Sequence, residues 1–223
     1  MLLESVETGA SGIAKIAAGG LSLFVRVEFW EALGREAGRL VAGAEIDGEE
    51  EGDLVLAAKA TEAEARGASL LARAEQPRFL LRGKLIERGY PERAVALALE
   101  RLESEGFLSD RRYAEAWLRS RVDRSIHGRG GRPEGPSSLL LSLRARSVPE
   151  EVAKAALAAV LDVERRPALL EAALRRVETL LAESPSAKTY RRPEGDELRG
   201  ELRSLGWGGE EIRDMMEGRR SDP

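Results

Sequence analysis

The 223-residue sequence has no cysteine and a single histidine. Without cysteine there is no disulfide framework, thiolate metal site or cysteine nucleophile, and this composition suits a reducing compartment; the expected location is the cytoplasm. With one histidine, a dedicated zinc site would have to be built almost wholly from carboxylates. That residue, His127, sits in a glycine-rich stretch without the neighbours a ligand or general base needs. No stretch approaches the roughly 20 apolar residues that span a bilayer, and no basic segment followed by a long apolar run opens the chain, so neither a signal peptide nor a membrane anchor is expected. A G-x-S-x-G elbow is also missing, and the GRGG run at 128–131 lacks the Lys-Ser/Thr of a phosphate-cradling loop. The expectation is a protein with no catalytic, metal or cofactor site.

The charge balance is mildly acidic, formally −4, but the charges are segregated along the chain. Residues 1–65 carry 5 Lys/Arg against 13 Asp/Glu, residues 66–163 carry 18 against 13, and residues 164–223 carry 12 against 13. Only the middle is positive. Within it, residues 106–146 hold 9 basic and 4 acidic side chains, an excess suited to phosphates or an acidic protein surface, though a solvated arginine-rich helix face has the same composition.

In the first sixty residues Leu21, Leu23, Val25, Val27 and Phe29 alternate with Ser22, Phe24, Arg26 and Glu28, and a period of two predicts a strand. Gly19-Gly20 offers a turn back to a pairing strand at 12–18, giving a small β-hairpin or β-rich segment, with a short helix expected near 30–40. The acidic run Glu49-Glu50-Glu51 followed by Gly52-Asp53 reads as a solvated turn ending this module. From about Thr61 the chain is rich in Ala, Leu, Glu and Arg and predicts helix.

Three helical segments align without gaps: 81–95 (LRGKLIERGYPERAV), 139–153 (LLLSLRARSVPEEVA) and 198–212 (LRGELRSLGWGGEEI). Leu81, Leu139 and Leu198 correspond, as do Leu85, Leu143 and Leu202, then Tyr90, Val148 and Trp207. Leucines four apart share one helical face, and a break before a second apolar-periodic helix folds that face onto its neighbour. Gly89 and Gly206 fit a left-handed helix end, and Pro91 and Pro149 fit the first turn of the following helix. Ser147 stands where the other copies have glycine, which predicts a cap made differently or less well. A further helical stretch precedes the later hairpins, at 110–123 and 167–183. The fold class is therefore mainly α: three tandem three-helix repeats stacked into an elongated curved rod behind a small β-containing segment. The boundaries read as 1–60, 61–106, 107–163 and 164–217, with a frayed tail at 218–223. Stretches 125–138 and 183–195 read as mobile breaks.

The most informative segment is 106–124, GFLSDRRYAEAWLRSRVDR. Ser109 or Asp110 caps a helix whose Tyr113, Ala114, Trp117 and Leu118 form an apolar stripe, with the two aromatics expected to serve the core. Arg112, Arg119 and Arg124 lie off that stripe, while Arg121, four residues after Trp117, is placed to stack along it.

These residues resemble the RecX family, whose G-F/Y-L-x-D, aromatic-Ala and W-x-x-x-R elements are present as Gly106-Phe107-Leu108, Asp110, Tyr113-Ala114 and Trp117 to Arg121. The family's leucine-rich helix with K-L before a glycine turn is similar to 81–90, with Lys84-Leu85 and Gly89. The resemblance covers roughly 150 residues. It implies a three-repeat modulator that lies along the RecA nucleoprotein filament and limits its growth or activity in homologous recombination, DNA repair and the SOS response. The contact surface it implies comprises Arg82, Lys84 and Arg88 in the first repeat and Arg112, Arg119, Arg121 and Arg124 in the second. The chain departs from the pattern at Gly135-Pro136, followed by Ser137-Ser138 rather than basic residues, and at Arg146-Ser147 in place of Lys-Gly; Arg129, Arg132, Arg144 and Arg146 are nearby substitutes. A monomer is expected, with DNA a possible second partner through the basic middle. Two other readings stand beside this one. The first is a helix-turn-helix DNA-binding regulator, weakened because the second helices at 92–105 and 150–161 expose mainly acidic and alanine positions. The second is a helical scaffold that binds only proteins.

Overall fold

The computed structural model describes residues 1–129, 132–183 and 195–218. Strands β1 (Leu3–Thr8), β2 (Ile13–Ala18) and β3 (Leu21–Arg26) form an antiparallel meander in the order β1-β2-β3, so the expected hairpin gains a third strand. Ala18 pairs with Leu21 across the Gly19-Gly20 turn. Both turn glycines have positive φ, 56° and 74°, as the tightest hairpin connection requires. Ala14, Ile16 and Ala18 of β2 and Val25 of β3 line the buried face. The start of the outer edge of β1 is occupied by a later segment: the Leu3 N–H donates to the Ala44 carbonyl at 2.9 Å, and the Gly43 N–H donates to the Leu3 carbonyl at 2.8 Å. The start of this edge is thereby closed to another strand.

The alternation stops earlier than the sequence suggests. Val27 and Phe29 belong to a short helix, α1 (Val27–Ala32), and the expected helix at 30–40 is replaced by a single 3-10 turn at Ala37–Arg39. Gly34, at φ +82°, turns the chain out of the helical region. The fully buried Trp30 fixes the new path, its indole N–H donating to the Glu36 carbonyl at 2.9 Å.

The acidic run forms the first turn of a long helix, α2 (Gly48–Leu71), rather than a solvated turn. The Asp47 carboxylate accepts from the backbone N–H groups of Glu49 and Glu50, at 2.9 and 2.8 Å, and the Glu50 carboxylate accepts from the Asp47 N–H at 3.1 Å. This reciprocal cap satisfies donors that a helix start leaves orphaned, and carboxylates there complement the helix dipole. The helix therefore begins well before Thr61.

The remaining helices are α3 (Arg78–Ile86), α4 (Glu92–Ser104), α5 (Asp110–Ile126), α6 (Pro136–Arg144), α7 (Glu150–Val160), α8 (Arg165–Ala182), α9 (Gly195–Ser204) and α10 (Gly209–Gly218). Among the described residues the molecule is thus mainly helical, with one small sheet. It divides into two compact units, Met1–Ser109 and Asp110–Pro223. Of the segments expected to be mobile, 184–194 and 130–131 lie outside the described residues, as do positions 219–223 of the tail. The ends of 125–138 belong to α5 and α6.

In the first unit, α2 packs on β3 on one side and α4 on the other. Gly67 permits the close approach, since a Cβ there would lie 2.7 Å from Leu102 Cδ1. The Glu64 carboxylate of α2 receives Arg26 of β3 through two bonds of 2.6 and 2.9 Å and Arg101 of α4 at 3.2 Å. Arg101 also reaches Glu28.

The second unit surrounds a core drawn from all six of its helices, including Leu118, Leu143, Leu157, Leu174, Leu202 and Ile212. The corresponding leucines of the three copies are buried: Leu81, Leu85, Leu139, Leu143, Leu198 and Leu202. Each contributes about 1.5–3 kcal/mol of apolar burial. The turns after them repeat as well. Gly89, Ser147 and Gly206 have φ of 86°, 59° and 90°, and the next residue's N–H returns to the carbonyls of Leu85, Leu143 and Leu202. The cap at Ser147 is therefore made in the same way as at glycine, not differently, with the side chain carried in a strained conformation. Pro91 and Pro149 stand at the N-cap, one residue before the expected position.

The third copy docks on the second through backbone. The Gly135 N–H donates to the Leu205 carbonyl at 2.7 Å, and a Cβ on Gly135 would come within 2.6 Å of the Gly206 carbonyl. A Cβ on Gly206 would in turn lie 2.7 Å from the Ser138 nitrogen. The small pair Ser137-Ser138 after Gly135-Pro136 fits this tight junction.

Candidate functional site

Helix α5 is organised by its buried face, where Ala114, Leu118 and Val122 enter the core and Tyr113 and Trp117 pack partly buried beside them. Both aromatics serve the core, as the spacing predicts. Trp117 also carries two cations: the Arg121 guanidinium lies 5.3 Å from its ring centre and that of Arg146 lies 4.6 Å away. Arg121 is fixed further by Glu134, in a two-bonded ion pair of 2.8 and 3.0 Å on a carboxylate only 13% exposed. Arg146 instead donates to the Ser142 carbonyl at 2.7 Å.

The sequence-predicted residues fall into distinct physical situations. Arg121 and Arg146 are half-buried around Trp117 and shape the surface more than they offer charge. Arg112, Arg119, Arg124, Arg129, Arg132 and Arg144 are exposed. Arg112 and Arg119, seven residues apart, share one face of α5. Arg119 pairs with Glu115 at 2.8 Å, as does Arg111 at 2.9 Å. Hydrogen bonding from Arg111 first, then from Arg119, holds the Glu115 carboxyl below its usual range despite partial burial. Such i,i+4 pairs contribute only about 0.3–0.5 kcal/mol, so Arg119 can exchange Glu115 for an external anion at little cost. Arg124 donates to the Ser120 carbonyl at 3.0 Å and has no ion pair among the described residues.

In the first unit, Arg82 pairs with Glu92 and Lys84 donates to the Gln76 side chain at 2.6 Å, while Arg88 donates to the Lys84 carbonyl at 2.6 Å. All three are therefore engaged within their own hairpin or the segment that leads into it. Arg82, Lys84 and Arg88 lie in one compact unit and the other eight in the second.

Sequence reading missed Glu134, whose pairing with Arg121 has no periodic signal, and Arg175-Arg176 on α8, which carry none of the recognised motif. His127 is exposed in the turn after α5, and among the described residues no cluster of His, Asp and Glu has the makings of a metal site. No helix among them is long and apolar enough to cross a membrane.

No family model matches the chain. Its sequence is 37% identical over 109 residues to Regulatory protein RecX of Treponema pallidum (strain Nichols), covering 49% of this chain and 62% of that protein. It is 42% identical over 92 residues to Regulatory protein RecX of Thermus thermophilus, covering 41% and 58%. These matches span less than two thirds of either relative. In fold, a crystal structure of regulatory protein RecX superposes with a TM-score of 0.69 at 19% identity, over 97% of this chain and 98% of the other. A crystal structure of RecX from Lactobacillus salivarius gives 0.56 at 18% identity, over 72% and 96%. In sequence over these stretches, and in fold over nearly its whole length, the chain is similar to the RecX regulatory proteins.

Proposed function

We propose that this protein is a regulator that binds the RecA recombinase or its DNA filament and lowers its activity, acting in DNA repair and the SOS response. It acts as a binding protein, without catalysis, in the cytoplasm and as a monomer. The observation that carries this reading is the exposed arginine face of α5, in a chain of net negative charge and on the segment with the family's own motif. Its relatives are named regulatory proteins, which favours a protein partner. Arg112 and Arg119 form the primary contact, Arg124, Arg129, Arg132 and Arg144 extend it, Arg121 and Arg146 support it through Trp117, and Arg82, Lys84 and Arg88 supply a second contact.

The test is binding to RecA filaments assembled on single-stranded DNA, together with their ATPase and strand-exchange rates. Arg112→Glu with Arg119→Glu is expected to weaken binding at least tenfold at unchanged fold stability, whereas Arg219→Glu with Arg220→Glu changes it less than twofold. Where DNA forms part of the surface, each phosphate no longer engaged lowers the salt slope by about 0.9. Equal binding to duplex DNA without recombinase would replace this reading with the helix-turn-helix one. Binding to the recombinase with no effect on its activity would replace it with the scaffold.

A further inference from the structure

A second basic feature lies within the second unit, where Arg124 at the end of the α5 face meets Arg175 and Arg176 of α8, which the family motif does not include. A cleft of about 430 Å³ opens between the C-terminal end of α5, the turn after it and α8, lined by Arg124, Ser125, Gly128, Pro133, Arg175, Arg176 and Thr179 among others. Among the described residues, three guanidinium groups line it and no carboxylate does. Other arginines of the unit, Arg119, Arg121 and Arg166 among them, pair with acidic side chains. Arg175 is held by Glu171 at 2.8 Å, but Arg124 and Arg176 have no ion pair among the described residues.

The hydroxyls in the lining are already committed. Ser125 donates to the Arg132 carbonyl at 3.3 Å, and Thr179 to the Arg175 carbonyl at 2.9 Å. Free donor capacity in the cleft thus belongs to guanidinium groups, whose planar fork matches phosphate oxygens in paired hydrogen bonds. The opposing influence is the negative end of the α5 dipole. It is weakened here because the turn closes on the helix end: the Arg129 N–H donates to the Arg124 carbonyl at 3.0 Å, and the His127 N–H to the Asp123 carbonyl at 3.1 Å. The volume lies within the range of small-ligand pockets.

We propose that this cleft is an anion site that takes a phosphate group through Arg124 and Arg176, with Arg175 as a third, partly neutralised donor. The phosphate comes either from a free polyphosphate or from a nucleic-acid backbone, and the site meets the surface proposed for the recombinase only at Arg124.

Isothermal titration of the full chain with inorganic pyrophosphate, without recombinase, tests it. The expected result is one site per chain, weakened at least tenfold in Arg124→Gln with Arg176→Gln and less than twofold in Arg93→Gln, an exposed arginine of α4. A repeat titration in the presence of a twelve-residue oligothymidine separates the sources. Loss of the pyrophosphate signal assigns the cleft to a backbone phosphate, and an unchanged signal assigns it to a free polyphosphate. No pyrophosphate binding, or binding that the double variant retains, overturns the proposal. Because no recombinase is present, that failure is distinct from a failure of the regulatory reading.

Discussion

Arg146 holds its guanidinium 4.6 Å from the centre of the Trp117 ring, the same ring that Arg121 covers at 5.3 Å. Arg121 arrives by helical spacing and Arg146 by the turn that ends α6, so one indole joins two elements of the second repeat. Half-buried cation–π contacts contribute about 1 kcal/mol. A urea double-mutant cycle on Trp117→Ala and Arg146→Ala is expected to give a coupling of about that size. Additivity within about 0.3 kcal/mol would show that the two side chains only share a neighbourhood.

Ser147 is the only non-glycine residue with positive φ among the described residues, at 59°. A left-handed conformation costs an L-residue roughly 1 kcal/mol, which glycine avoids at some cost in chain entropy. Ser147→Gly is expected to raise the urea midpoint by an equivalent of about 0.5–1 kcal/mol with an unchanged slope. A lower midpoint would show that the serine side chain makes a compensating contact.

The backbone junction between the second and third copies makes an opposite forecast for another glycine. Gly135→Ala forces a methyl to within 2.6 Å of the Gly206 backbone and is expected to destabilise by about 1–3 kcal/mol. Gly83→Ala, in α3 with nothing within 4 Å of the added carbon, should stabilise by up to about 1 kcal/mol through helix propensity. Stabilisation by the first change together with destabilisation by the second would invert this assignment of crowded and open sites.

Glu50 supplies the pH dependence of the N-terminal cap. Its carboxyl is lowered from an ordinary 4.5, first by the Arg39 hydrogen bond and then by the Asp47 backbone N–H. A carboxylate depressed in the folded state contributes stability that is fully present above its unfolded value and is lost as the pH falls through the folded one. Urea stability should therefore decline below about pH 4.5, and Glu50→Gln should shrink the difference between pH 6 and pH 3 while lowering stability at pH 6. An unchanged difference would place the acid sensitivity elsewhere.

The helical repeats were legible because their signal is periodic: Leu85, Leu143 and Leu202 recur in register and all have no exposed surface. The 27–40 stretch was not, because its path is set by a tertiary contact, the Trp30 indole on the Glu36 carbonyl, and by the positive φ of Gly34. The Glu49–Glu51 run misled for a different reason. Three adjacent acids look solvated, yet Glu50 is buried and with Asp47 caps a helix whose buried apolar residues, such as Leu54 and Ala57, begin only after the first turn. At the site, the arginines of α5 could be read from the motif, whereas Glu134, Arg175 and Arg176 depend on how separate elements meet.

For anyone trimming or grafting this protein, α2 sets where the chain can be cut. A shortened version starting at residue 61 would discard the Asp47 cap and most of the buried face of that helix, and it would leave Glu64 and Arg101 without Arg26. Residues 1–109 are better handled as a single cassette, in which the acidic leading segment acts as the brace of the first repeat and not as a detachable tag.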